Sequence, residues 1–116
     1  MKGSLKLLRV YTFVNADEKQ VEEDLSRIEE LVKQRAVENP GITYHVLTSI
    51  SHRDVETLLI IEADSEGEGV RERELVYSLL KSSCKALDFE FVDEESLTRR
   101  VAEGLRNFFY AGENQA

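Results

Sequence analysis

Apolar positions recur along this chain in two periods, and the switches between them mark its elements. From Leu5 to Val14, Leu8, Val10, Thr12 and Val14 fall on one side of an extended strand, while Leu7, Arg9, Tyr11 and Phe13 fall on the other. Both sides are substantially apolar. Asn15-Ala16-Asp17 follows as a capping cluster, with Asp17 and Gln20 placed as a capping-box variant. Val21, Leu25, Ile28 and Val32, with Leu31 beside them, draw one stripe down an amphipathic helix. Its acids gather early, including a Glu22-Glu23-Asp24 run that reads as a solvated face, and Lys33 and Arg35 come late, as the helix dipole favours. Asn39-Pro40-Gly41 stops this helix, because proline cannot continue it and disfavours helix in the residue before.

The period then returns to two. Ile42, Tyr44, Val46, Thr48 and Ile50 share one side of a strand, and Thr43, His45, Leu47 and Ser49 the other. A polar turn, Ser51-His52-Arg53-Asp54, leads to a second alternating run from Val55 to Ala63, which predicts an antiparallel hairpin. Asp64 to Gly69 (DSEGEG) reads as a loop. Val70, Val76, Leu79, Leu80 and Leu87 then keep helical spacing through Ala86. Asp88 to Val92 predicts a short strand with Phe89 and Phe91 on one side. Ser96 is placed to cap a last helix over about residues 96–110, carrying Leu97, Val101, Leu105, Phe108 and Phe109 as a stripe. Residues 111–116 are expected to fray.

Strand, helix, two strands, helix, strand, helix is the order of an α+β, ferredoxin-like βαββαβ plan with an added C-terminal helix. Right-handed crossovers put the two long helices on one face of a four-stranded antiparallel sheet. One domain over residues 1–116 is expected, with its core in 5–92. The strands, however, are apolar on both sides, and a contiguous apolar face above a few hundred Å² is rarely left in water. Two coverings are possible: the last helix over its own sheet, or a second copy's sheet with that helix clasping the neighbour. A homodimer is the expectation, with Tyr11, Phe13, Leu47, Leu58 and Ile60 as its interface candidates.

Composition narrows the partners. Apolar residues make up 41% of the 116 and proline occurs once, which a packed core requires and a disordered chain lacks. Acids outnumber bases 23 to 15, a net charge of -8 that argues against a nucleic-acid partner, which needs a basic stripe. The single Cys84 excludes a disulfide within the chain. No apolar run approaches the roughly 20 residues that span a bilayer. Lys6, Arg9 and Thr12 interrupt the first apolar run, unlike a signal peptide, so no membrane partner and a cytoplasmic location are expected.

Candidate chemistry is sparse. No phosphate-loop, dinucleotide, serine-elbow or zinc-helix motif is present. His45 and His52 are the only histidines. His45 is expected across the sheet from Tyr11, where burial could tune it as a general acid or base; a hydrogen-bonded strand residue is the plainer alternative. His52 belongs to the turn and is expected in solvent, too far from His45 to share a metal. Cys84 comes late in a helix, the wrong end for a low-pKa nucleophile, and reads as a small buried hydrophobe. Glu66 and Glu68 flank glycines without the ligand spacing of a calcium loop. Arg99, Arg100 and Arg106 form the one basic group, which could hold an acidic partner or clasp a second copy's acidic helix; pairing with Glu95 and Glu103 along the helix is the plainer alternative. Neither a cofactor nor a metal site is indicated.

The stretch Glu38 to Ala63 (ENPGITYHVLTSISHRDVETLLIIEA) resembles the centre of the dimeric α+β barrel superfamily, in its antibiotic-biosynthesis-monooxygenase-like branch. That branch often shows Pro-Gly after the first helix, a strand with an aromatic, then a hairpin, here Pro40-Gly41, Tyr44 and the turn at Ser51 to Asp54. The resemblance implies dimers paired through their sheets. Its haem-degrading members use an Asn from the first strand, a Trp and a helical His. Asn15 could take the first place, but the chain has no Trp and neither long helix holds a His, so haem oxygenation is not implied. The expectation is a small homodimeric domain with a binding or assembly role. One alternative is a monooxygenase-like enzyme acting on an aromatic or quinone-type molecule through Tyr11, Asn15 and His45. The other is a regulatory module that takes a small-molecule ligand near Asn15 to Asp17.

Overall fold

A computed structural model describes residues 3–50 and 55–115, with side chains for 3–48 and 57–105. The turn from Ser51 to Asp54, and with it His52, lies outside the described residues, as do the side chains of Arg106, Phe108 and Phe109. The chain runs β1 (Ser4–Thr12), α1 (Glu18–Glu38), β2 (Thr43–Ile50), β3 (Val55–Ala63), α2 (Glu66–Ser83), β4 (Leu87–Val92) and α3 (Glu95–Gln115). The strands form one antiparallel sheet in the order β2-β3-β1-β4. The hairpin takes the register Ile50 opposite Val55 back to Thr43 opposite Glu62. β1 is central, with Leu7 facing Ile60 on one side and Val92 on the other.

Alternation along the strands divides the apolar residues between two cores. On one face Leu8, Val10, Leu59, Leu87 and Phe89 pack with Ile28 of α1 and with Val76 and Leu80 of α2. On the other, Leu7, Leu58, Ile60 and Val92 pack with Val101 of α3, and Leu5, Leu97 and Leu105 close around them. The last helix therefore lies across its own sheet, the first of the two coverings the strand pattern allowed. Each fully buried Leu or Ile here is stabilised by about 1.5–3 kcal/mol relative to water, so both faces contribute to folding.

Several elements differ from the sequence expectation, each for a local reason. Asp17 occupies the N-cap of α1 in extended backbone, but its side chain makes no capping bond. Gln20 instead donates from Nε2 to Asp24 Oδ1 at 3.0 Å. Asp24, expected in solvent, is fully buried, and Leu25 is 48% exposed. Three backbone N–H groups at the α2–β4 junction demand the acceptor: those of Lys85, Ala86 and Leu87 donate to Asp24 Oδ2 at 2.9, 2.6 and 3.2 Å. Those bonds outweigh the cost of burial and hold the carboxyl below its ordinary range. The helix thus turns its carboxylate inward and its leucine out.

The DSEGEG stretch is not a loop throughout. Ser65 caps α2 by accepting from the Glu68 N–H at 3.2 Å, so Glu66 to Gly69 is helical. Gly69 is required there because a Cβ would lie 2.6 Å from Ser4 Oγ. The helix ends at Ser83 rather than Ala86, with Cys84 as its C-cap, and Leu87, expected on the helical stripe, instead opens β4. Likewise α3 begins before Ser96 and extends to Gln115, beyond the expected stop near residue 110. Between the long helices, Arg35 grips Glu72 with two bonds of 3.0 and 2.7 Å. Arg73 reaches from α2 to the Leu7 carbonyl and to Asp93, with its guanidinium 4.4 Å over the Phe91 ring.

Candidate functional site

The α3 side of the sheet is only partly filled. α3 crosses it from Leu97 to Leu105, and beside the helix the strands β2 and β3 leave a cleft of about 600 Å³. Its floor is Leu47, Leu58 and Ile60, its far wall Leu97, Val101 and Leu105, and its polar groups His45 and Arg100. These residues meet because the hairpin register sets His45 opposite Ile60 and Leu47 opposite Leu58, all on the face that α3 covers. Gly104 lies on the helix side of the cleft, and a Cβ placed on it would meet nothing within 4 Å.

At the cleft His45 Nε2 stands 3.3 Å from Glu62 Oε2, and Glu62 is only 6% exposed at its side chain. Glu62 sits opposite Thr43, one diagonal step from His45 on the same face. No carboxylate is adjacent to His45 in sequence, yet the fold brings one within 3.3 Å of its ring. The missed signal was the register: once Ile50 is set against Val55, counting back delivers Glu62 to the histidine. The second oxygen of Glu62, Oε1, is buried without a hydrogen-bond partner among the described residues.

The other proposed catalytic residues are elsewhere. His45 is level with Leu7, through Ile60, and not with Tyr11 as expected. Four residues of β1 and one intervening strand separate them, roughly 16 Å at about 3.3 Å per residue and about 4.8 Å between strands. Tyr11 instead donates its phenol to Asp88 Oδ2 at 3.0 Å, and that bond raises the phenol above its ordinary pKa of 10.0. Asp88 also accepts from Lys81 at 2.6 Å and is held low by it, so this group is a closed ion-pair cluster at the β4 edge. Asn15 is exposed in the turn after β1, outside the cleft lining. The structure does not bring Tyr11, Asn15 and His45 together. Of the interface candidates, Leu58 and Ile60 are buried under their own chain, while Tyr11, Phe13 and Leu47 remain 42%, 48% and 44% exposed.

Cys84 is half-buried, and burial first, then the Asp24 charge, pushes its thiol up to about 11, which suits packing rather than nucleophilic attack. Arg99 pairs with Glu95 at 3.1 Å as expected along the helix. Arg100 makes no ion pair or hydrogen bond among the described residues. Among those residues no three His, Cys, Asp or Glu side chains converge in a way that could hold a metal ion. No helix among them is long and apolar enough to cross a membrane.

No family model and no curated protein matches the chain. Among solved structures, a solution NMR structure of a de novo designed protein with ferredoxin fold is similar, with a TM-score of 0.53 and 16% identity. The match covers 80% of this chain and 88% of the design. At that identity the likeness shows the fold alone, and with the β2-β3-β1-β4 sheet it establishes a ferredoxin-like fold.

Proposed function

We propose that this chain is a small binding domain whose site is the cleft between β2, β3 and α3. A single observation carries the reading: about 600 Å³ of concave, mainly aliphatic space beside the sheet. Small-molecule sites are commonly about 300–1,000 Å³, mostly apolar and edged by a few convergent polar groups. His45 and Arg100 are those groups here, with the Glu62 carboxylate 3.3 Å from the histidine ring. Binding is favoured over catalysis because, among the described residues that line the cleft, His45 is the one acid–base side chain and none is a Ser, Thr, Cys or Lys nucleophile. The test is a thermal-shift screen of small apolar compounds, repeated on Gly104→Phe, which fills the cleft from its open side. Compounds that stabilise the native chain should lose their effect in that variant while the unliganded fold persists by circular dichroism. Equal stabilisation of both proteins would remove the cleft as the site.

A homodimer is a second reading, favoured by the exposure of Tyr11, Phe13 and Leu47. It would place the contact beside α3 rather than beneath it. A Phe13→Glu, Leu47→Glu variant should then sediment as a monomer where the native chain sediments as a dimer; native sedimentation as a monomer at all concentrations would end the reading.

A further inference from the structure

The lining of the cleft says more than its volume. Among the described residues, His45 is the one ring that lines it, so most of its surface offers a flat ring system nothing to stack on. Leu47, Leu58, Ile60, Leu97, Val101 and Leu105 instead offer branched aliphatic walls, which suit a flexible hydrocarbon chain. Among the described residues one permanent cation lines the space, Arg100, while its neighbour Arg99 is engaged by Glu95. The chain as a whole carries a charge of -8, so its general field repels an anion. Attraction for a negative head group must therefore be local, and Arg100 is positioned to supply it. A guanidinium matches a carboxylate with two parallel N–H donors.

Resting on the cleft being a binding site, we propose that its ligand is an aliphatic monocarboxylate, its chain between α3 and the β2–β3 floor and its carboxylate against Arg100. Glu62 disfavours a second anionic group at the His45 end, so the ligand carries one charge, not two.

The experiment titrates decanoate, decanol and 2-naphthoate into the full chain and into Arg100→Gln and Gly104→Phe, followed by calorimetry and by amide shifts on Leu47, Ile60 and Val101. Decanoate is expected to bind the native chain at least tenfold more tightly than decanol or naphthoate. Arg100→Gln should weaken decanoate about tenfold, the scale of one charge-assisted contact at a partly exposed site, and leave decanol unchanged. Gly104→Phe should abolish binding of decanoate and decanol alike. Decanol binding as tightly as decanoate, or Arg100→Gln without effect, overturns the carboxylate assignment while the cleft stands. Tighter naphthoate, or no decanoate binding, overturns the aliphatic class. Decanoate binding that survives Gly104→Phe overturns the cleft itself.

Discussion

Asp24 carries a disproportionate part of the architecture for one exposed-looking acid in an acidic run. It bridges α1 to the junction before β4 by accepting three backbone N–H groups that would otherwise be buried without partners. Asp24→Ala is expected to cost about 3 kcal/mol, read from urea titration, since hydrogen bonds to a charged acceptor are worth about 1.5–3 kcal/mol and orphaned donors add to the loss. The pH dependence has a definite sign. The folded carboxyl lies below its ordinary 3.8, so its contribution is fully present above that value and is lost as pH falls through the folded one. Asp24→Asn should flatten that acid limb of the stability curve. Cys84 offers a second check. With its thiol at about 11 it holds little thiolate at pH 8; iodoacetamide should label it about a hundredfold more slowly in the native chain than after unfolding, where a thiol near 8.5 is expected.

Helix boundaries follow from small residues as much as from the apolar stripes. Gly67 and Gly69 made DSEGEG look like a loop, yet Ser65 caps it into α2, and Gly69 lets the first turn approach Ser4. Gly104 sits in the same kind of helix interior with the opposite surroundings. Gly104→Ala is therefore expected to stabilise by about 1 kcal/mol through helix propensity. Gly69→Ala should destabilise despite the same propensity gain, because the new methyl strikes Ser4 Oγ. Paired thermal melts of the two variants test this, and like signs would contradict the contrast. Periodicity could not show it, since it reports which residues are apolar and not how near the next element stands.

Across the molecule, α3 decides how the second sheet face is used. Val101 is buried against Leu7, Leu58, Ile60 and Val92, and Val101→Asp would place a charge in that layer. The helix should then detach, with increased binding of a hydrophobic dye and a fall in melting temperature, while the α1–α2 side of the sheet keeps its packing. An unaltered dye response would show that α3 does not cover this face in solution. The same face holds the cleft and, through Leu47, part of the exposed surface that a second copy would use, so ligand and partner would meet one set of strands.

Much of this was legible in one dimension. Alternation at Leu7-Leu8 and Leu58 to Ile61 announced a strand buried on both sides, Pro40-Gly41 ended the first helix, and element order led to the ferredoxin-like plan, because each rests on local periodicity or backbone chemistry. The candidate site was half legible: His45 stood out and Arg100 showed as part of a basic group, but Glu62 did not, and nothing joined the three. Their roles depend on which residues face one another across a register and on which helix lies above them. Whether α3 covered its own sheet was likewise open, since the same amphipathic stripe fits either sheet. Sequence settles the faces an element presents; only the packed chain settles what those faces meet, because long-range contact is set by shape and not by neighbouring residues.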